Sequence, residues 1–157
     1  MSLEGKVIAI TGGASGIGLA TANLISSRGA TVCLADIDPA SISAAESHFT
    51  ARKVPFSVTQ VDVSKRPEVD AWVDGIVERF GKLDGAVNSA GVIGKHHGIT
   101  TITELEDDEW HRIISVNLTG MMYSLRAELR KISKGGSIVN LSSIQGVMGR
   151  PFVLLKA

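Results

Sequence analysis

The amino-acid sequence predicts an α/β fold: a doubly wound parallel sheet of about five strands with helices on both faces. Short runs rich in Val, Ile and Ala alternate with longer segments whose apolar residues recur at i, i+3 and i+4, which is the pattern of strands alternating with helices. The first run is continuously apolar, as expected for a parallel strand covered on both faces. Because crossovers between parallel strands are right-handed, these elements form one sheet that binds ligands at the carboxyl ends of its strands.

Five runs are predicted as strands, and the first leads directly into a glycine-rich turn. The predicted strands are residues 6–10, 31–35, 55–61, 83–88 and 137–141. Doubly wound sheets bind ligands where the strand order reverses, so the turn after the first strand is the expected position of a site.

Residue types at the ends of the first two helices predict where they begin and end. Residues 16–28 form a helix with one apolar face, and Gly29 supplies the left-handed residue that terminates such helices. Asp38 is predicted to cap the second helix, with Pro39 in the first position, where a missing N–H has no cost.

The third helix has the clearest apolar stripe in the sequence. Ser64 is predicted as its N-cap and Gly81 as its end. A long helix over residues 107–133 precedes the fifth strand. No internal repeat, low-complexity segment or linker interrupts these elements, so the sequence predicts a single domain over residues 1–157.

The composition disfavours several classes of function. The 16 basic and 16 acidic residues cancel, so no net field favours nucleic acid or an anionic membrane as a partner. No apolar stretch approaches the ~20 residues of a membrane span and no leader-like segment follows Met1, which predicts a cytoplasmic location. The single cysteine, Cys33, is interpreted as a buried hydrophobe, and no spacing of His, Cys and Asp resembles a metal site.

The turn after the first strand reads Thr-Gly-Gly-Ala-Ser-Gly-Ile-Gly over residues 11–18. Glycine lets the backbone approach a pyrophosphate closely, and the N–H groups at the start of the next helix favour its negative charge. The alternative is that these glycines serve only tight packing of the helix on the strand. The residues expected at the ligand are Gly12, Ser15, Gly16, Ile17 and Gly18.

Asp36 ends the second strand, close to the ~20-residue offset from the glycine turn at which an acidic group meets the ribose of a dinucleotide. Its carboxylate would accept hydrogen bonds from the ribose hydroxyls and repel a 2′-phosphate. No Arg or Lys interrupts the glycine turn, so NAD is the expected cofactor rather than NADP. The alternative is that Asp36 merely starts a turn before Pro39.

The spacing Thr-Gly-x-x-x-Gly-x-Gly, together with four later motifs in the same order, resembles the short-chain dehydrogenase/reductase family, whose fold is Rossmann-like. The resemblance implies that Asp62 and Val63 contact adenine, although an Asp also suits a turn. Residues 88–91, Asn-Ser-Ala-Gly, resemble the Asn-Asn-Ala-Gly signature of the family with Ser in the second position. The residues that this match places along the cofactor are Asn88, Ala90 and Gly91.

Two further matches concern catalysis. Asn117 matches the asparagine that kinks the long helix in the family and holds a water of the proton relay; the alternative is a local backbone hydrogen bond. Ser143, rather than Ser142, matches the serine that donates to a substrate carbonyl or alkoxide. A Ser-Ser pair at the end of a strand is otherwise simply a turn.

The sequence departs from the family pattern because it contains no Tyr-x-x-x-Lys, in which the lysine lowers the pKa of the tyrosine. The only tyrosine, Tyr123, precedes the fifth strand. An ungapped comparison places the family tyrosine at or beside Lys156, so Lys156 or a water is the expected proton donor. His96 and His97 form an alternative acid/base pair.

Elements that follow the fifth strand in the family are also absent, so the sequence resembles a C-terminally truncated member of the family. The fifth strand is then expected at a sheet edge, and self-association is expected to cover that edge and the long helix. The apolar residues expected to be exposed on this helix are Ile113, Ile114, Met121, Met122 and Leu125.

Three functions remain open at this point. The resemblance favours an NAD-dependent oxidoreductase that acts on a secondary alcohol or ketone of a small molecule. The alternatives are non-redox chemistry on a small molecule, such as isomerisation, cyclisation or elimination, and a relative that binds a dinucleotide without catalysis.

Overall fold

The computed structural model describes residues 2–95 and 101–146. Its centre is one parallel sheet whose strands follow the order β3-β2-β1-β4-β5, so the order reverses between β1 and β4. The strands are β1 (Val7–Thr11), β2 (Thr31–Asp36), β3 (Phe56–Gln60), β4 (Leu83–Asn88) and β5 (Ile132–Asn140). The predicted doubly wound, Rossmann-like fold is confirmed.

Helices cover both faces of the sheet, and each face has its own apolar core. The helices are α1 (Gly16–Ser26), α2 (Pro39–Arg52), α3 (Arg66–Phe80), α4 (Asp107–Ile114) and α5 (Met121–Lys131). A π-helical segment, Ser115–Gly120, joins α4 to α5, so the predicted long helix is continuous but not uniformly α-helical. Phe49 fills the core under α1 and α2, whereas Trp72 fills the core under α3 and α5.

The helix ends confirm two of the predicted caps and correct a third. The Asp38 carboxylate accepts the Ser41 N–H at 2.9 Å, and Gly81 ends α3 with φ of 78°. Ser64 is not the cap of α3, which begins after Lys65. The Ser64 hydroxyl instead donates to the Asp62 carboxylate at 2.6 Å, and no side chain caps the helix at Lys65.

Strand β5 begins five residues earlier than predicted, at Ile132, and its pairing with β4 is irregular between Leu83 and Gly85. The segment between Ile132 and Ser137 contains a Ser, a Lys and two glycines, so it carries no sequence signal of a strand. Among the described strands, β5 lies at one edge of the sheet, as predicted.

The exposed apolar surface of the last helices differs from the prediction. Ile113 is buried, with only 1% of its surface exposed, because its side chain packs toward Gly94 in the loop after β4. Met122 is exposed as predicted, and Leu118 and Leu129 extend the same helical stripe. Ile114, Met121 and Leu125 are half-buried.

Within the described residues, no helix combines the length and apolar character needed to cross a bilayer. Cys33 is buried as predicted, and burial raises the pKa of its thiol to about 11, which makes it an unreactive part of the core.

Candidate functional site

A groove of about 560 Å³ opens at the carboxyl ends of the strands, where the strand order reverses. Ten of the eleven residues predicted for the cofactor line it: Gly12, Ser15, Gly16, Ile17, Gly18, Asp36, Asp62, Val63, Ala90 and Gly91. Lining residues not singled out from the sequence include Ile37, Val92, Arg112, Ser115 and Val116. These come from elements far apart in the chain, and short motifs do not reveal them.

The glycines of the turn have two different roles. Gly16 has φ of +49°, and a Cβ built on it would have no neighbouring heavy atom within 4 Å, so its backbone faces open space at the groove. Gly18 lies where α1 crosses β1, and a Cβ there would overlap the Gly12 carbonyl oxygen. Gly18 therefore serves close packing, the alternative weighed from the sequence, whereas Gly16 gives the turn its conformation.

The N-terminus of α1 faces the groove with its backbone donors. Ser15 precedes the helix in an extended conformation, and its side chain makes no capping hydrogen bond. The first turn contains no acidic residue. Because the first N–H groups of a helix lack intrahelical acceptors and lie at the positive end of its dipole, this end favours an anionic ligand group.

Asp36, half-buried at the end of β2, has an orientation fixed by three backbone N–H groups. One carboxylate oxygen accepts hydrogen bonds from Ile37 at 2.8 Å and Asp38 at 3.2 Å, and the other accepts from Ala14 at 3.1 Å. Asp36 thus starts a turn and also lines the groove, so both sequence interpretations describe it. Its carboxylate links the end of β2 to the glycine turn.

Asp62 and Val63 lie on the groove wall after β3. The Asp62 carboxylate accepts from the Ser64 N–H at 2.9 Å, as an Asp in a turn would. Val63 is buried and lies so close to the π-helical segment that a Cβ on Gly120 would be 2.9 Å from it. The β3 end and the last helices therefore form one continuous wall.

Asn88 is the predicted cofactor residue that does not line the groove. It is buried beneath the groove, where its amide nitrogen donates to the Glu128 carboxylate at 2.9 Å and to the Asn140 side-chain oxygen at 3.0 Å. Its own oxygen accepts from the Thr11 hydroxyl at 3.4 Å. Asn88 thereby connects the ends of β1, β4 and β5 from below.

Glu128, which the sequence analysis did not single out, is completely buried on α5. Burial raises the pKa of its carboxyl to about 7, and the hydrogen bond from Asn88 lowers it in part. Its second oxygen has no hydrogen-bond partner among the described residues. A carboxyl group in this environment favours its neutral form.

Asn117 lies in the π-helical segment, and a widened turn of this kind is one of the known causes of helix kinks. Its side-chain oxygen accepts the Val92 N–H at 2.8 Å, and its side-chain nitrogen donates to the Val92 carbonyl at 2.9 Å. The hydrogen bonds are thus to backbone, but to backbone 25 residues away rather than local. This reciprocal pair holds the loop after β4 against the helix.

Ser143 lies three residues beyond β5 and is half-buried; its carbonyl accepts the Gly146 N–H at 2.9 Å. Lys156, His96 and His97 lie outside the described residues. Tyr123 does not line the groove: it packs against the core, with the Arg126 guanidinium 5.2 Å from its ring centre. Within the described residues, no group of three or more His, Cys, Asp or Glu side chains could hold a metal ion.

A groove at the reversal of strand order, beside a glycine turn and an acidic strand end, is characteristic of Rossmann-like α/β domains. Comparison with known families is more specific, because the model described as short chain dehydrogenase matches residues 6–155. The chain belongs to the short-chain dehydrogenase family.

Individual relatives agree with this assignment. The chain is 59% identical over 150 residues to the short-chain dehydrogenase/reductase ABA4 of Pyricularia oryzae, which covers 95% of this chain and 56% of the relative. It is 41% identical to chanoclavine-I dehydrogenase of Aspergillus fumigatus, with coverage of 97% and 62%. The crystal structure of NAD⁺-bound xylitol dehydrogenase superposes with a TM-score of 0.90 at 31% identity, covering 98% of this chain and 58% of that one. The chain thus spans slightly more than half the length of these relatives.

Proposed function

We propose that the chain binds a nicotinamide dinucleotide in the groove. We propose that it does so as an oxidoreductase acting on a secondary alcohol or ketone of a small molecule. The observation that carries this proposal is the groove itself, which is lined by both the open Gly16 backbone and the oriented Asp36 carboxylate. All three relatives described above are named as dehydrogenases, and one was solved with NAD⁺ bound. Absorbance change at the nicotinamide band over a panel of alcohols tests the activity.

NAD is the dinucleotide that we propose for this groove. The carboxylate of Asp36 suits two ribose hydroxyls, whereas a 2′-phosphate beside it would meet a like charge. Arg112 is the only cationic side chain among the described lining residues, and it belongs to α4 rather than to the turn beside Asp36. Residues 11–18 and 35–38, which form the glycine turn and the end of the second strand, contain no Arg or Lys that could compensate a 2′-phosphate.

Replacement of Asp36 with Asn is expected to weaken NAD binding about tenfold or more and to reduce the preference for NAD over NADP. The reason is that hydrogen bonds to a charged group are worth about 1.5–3 kcal/mol each, and Asn lacks the charge. Isothermal titration calorimetry with both dinucleotides measures the change. Glu78→Gln, which neutralises an exposed carboxylate on α3 outside the groove, is the control and should bind like the unmodified chain. No heat with either dinucleotide would contradict the binding proposal, whereas equal affinities would contradict only the preference for NAD.

For catalysis, we propose that Ser143 contacts the substrate oxygen and that Asn117 positions a water near it. Positioning of a water suits Asn117 because both polar atoms of its side chain are hydrogen-bonded to the Val92 backbone. These hydrogen bonds hold the helix backbone in place at Asn117. Proton transfer is proposed to involve Lys156 or a water.

We also propose that the chain forms a homo-oligomer through the stripe of Leu118, Met122 and Leu129 on the last helices. Each of these side chains is more than 40% exposed, at 57%, 44% and 64%. Large exposed apolar patches are uncommon on monomers. Val139, on the edge strand β5, is exposed as well.

Light scattering is expected to give a mass above that of the monomer at micromolar concentration, and Met122→Glu is expected to return the mass to that of the monomer. A buried carboxylate at an apolar interface has no partner and disfavours association. Ile102→Glu, at an exposed apolar position outside the stripe, should leave the mass unchanged. A monomeric mass for the unmodified chain would contradict the proposal.

We propose a small molecule as the partner, and no nucleic acid or membrane, because the basic and acidic residues balance. We also propose a cytoplasmic location, which a single buried cysteine, Cys33, supports.

A further inference from the structure

Arg112 is a partly buried cation in the wall of the groove, and none of the sequence motifs includes it. Its Nη2 donates to the Ile93 carbonyl oxygen at 2.9 Å, while its Nε is buried without a hydrogen-bond partner among the described residues. None of the ion pairs found within residues 2–95 and 101–146 involves it. Because a guanidinium does not lose its proton in proteins, the groove wall carries a positive charge whose donors are incompletely used.

Arg112 lies on the part of the groove wall that is also formed by Val63, Val92 and Val116. Arg112 lies one helical turn before Val116, and both line the groove together with Val92. Asn117 holds Val92 against this helix, and Gly120 brings the following turn against Val63. Three apolar side chains, Val63, Val92 and Val116, therefore line the wall on which Arg112 lies.

This wall has the character of a site for a flat aromatic group. The N-terminus of α1 favours the pyrophosphate, and Asp36 favours a ribose, so the base of the proposed dinucleotide extends beyond Asp36 toward Val63. Valine side chains on this wall can pack against the faces of a purine, but they provide no polar contact. Arg112 is the cationic group on the same wall, which also carries the Asp62 carboxylate.

We propose that Arg112 is a binding residue for the purine of the dinucleotide, with its guanidinium packed against the ring. This inference rests on the proposed function. A guanidinium is planar and weakly hydrated, and it is attracted to the face of an aromatic ring by about 0.5–2 kcal/mol, depending on desolvation. Because Arg112 is partly buried in the groove wall, its attraction to an aromatic ring is expected to be stronger than that of an exposed guanidinium.

The contact with Ile93 gives Arg112 a second, structural role that has to be separated from binding. Gln at this position keeps an amide donor for the Ile93 carbonyl but lacks the charge and the guanidinium plane. Lys keeps the charge but lacks the plane. Circular dichroism and the melting temperature first show whether both variants fold. The ligand affinities of the folded variants then distinguish a role of Arg112 in binding from a role in supporting the loop at Ile93.

The experiment compares adenosine, AMP and NAD as ligands, with affinities measured by ligand-detected NMR for the unmodified chain, Arg112→Gln and Arg112→Lys. We expect Arg112→Gln to weaken the binding of all three ligands by a similar factor, about 2- to 30-fold by the constant for cation–π contacts. Adenosine is the decisive ligand because it has a purine but no phosphate. Arg28→Gln, which removes an exposed cation that does not line the groove, is the control and should change no affinity.

Several outcomes would overturn the inference. Loss of AMP and NAD affinity with unchanged adenosine affinity would assign Arg112 to phosphate. Unchanged affinity of Arg112→Gln for all three ligands would leave Arg112 as a support of Ile93 only. Absence of adenosine binding to the unmodified chain would also count against a purine contact. Absence of NAD binding to the unmodified chain, by contrast, would refute the proposed function itself.

Discussion

Gly18→Ala is expected to destabilise the domain by about 3 kcal/mol or more and to lower its melting temperature by about 10 °C. A Cβ on Gly18 would overlap the Gly12 carbonyl oxygen and lie 2.8 Å from both the Gly12 carbonyl carbon and the Ser89 hydroxyl. Two of these three atoms belong to backbone that cannot rotate away, so α1 would have to move off β1. Native domains have only ~5–15 kcal/mol of stability in total, which makes this a large fraction.

Gly75→Ala is the matched control, because Gly75 is also a helical glycine but a Cβ built on it meets no atom within 4 Å. Alanine favours helix over glycine by about 1 kcal/mol, so this variant is expected to melt at a higher temperature than the unmodified chain. Thermal unfolding followed by circular dichroism measures both changes. Equal melting temperatures for Gly18→Ala and the unmodified chain would show that α1 and β1 are not in close contact.

Glu128→Gln is expected to stabilise the folded state at pH 8 by up to about 3 kcal/mol and to have little effect at pH 5. The pKa of Glu128 is raised from 4.5 to about 7 in the folded state. The unfolded chain therefore releases this proton at lower pH than the folded chain does, and stability falls as the pH rises from about 4.5 through 7. Each pKa unit corresponds to about 1.4 kcal/mol, and Gln has no proton to lose.

Urea unfolding between pH 5 and pH 8 measures this difference. The free energies of unfolding of the two chains should diverge across the window, with the unmodified chain losing more stability toward pH 8. Glu46→Gln, at an exposed position on α2, should instead follow the unmodified chain at every pH. Parallel curves for Glu128→Gln and the unmodified chain would mean that Glu128 is ionised in the folded state at neutral pH.

The strands and the groove were largely predictable from the sequence because their signals are local. Continuous apolar runs mark buried parallel strands, and the turn over residues 11–18 follows the first of them directly. Asp36 was identifiable as a groove residue because it ends the second strand close to the ~20-residue offset from the glycine turn at which an acidic group meets a ribose. A parallel sheet then follows from the alternation of strands with helices, which needs no side-chain detail.

Predictions failed where a residue's surroundings come from distant parts of the chain. Glu is rarely buried, so the sequence predicts that Glu128 is an exposed helical residue. Its burial is explained only by the hydrogen bond that it accepts from Asn88, which is 40 residues away in the chain. Ile113 was expected to be exposed because the partner of its helical face, the loop at Gly94, has no regular pattern. The places of Arg112 and Val92 in the groove wall were not predicted either, because they too depend on contacts between distant parts of the chain.

The reciprocal hydrogen bonds between Asn117 and Val92 also join two parts of the site mechanically. Val92 is part of the groove wall, whereas Asn117 is the proposed anchor of the proton-transfer water. A displacement of the loop by an incoming base would pull on both of these hydrogen bonds and so act on the widened helical turn. The same two hydrogen bonds therefore support the groove wall at Val92 and the widened helical turn at Asn117 at once.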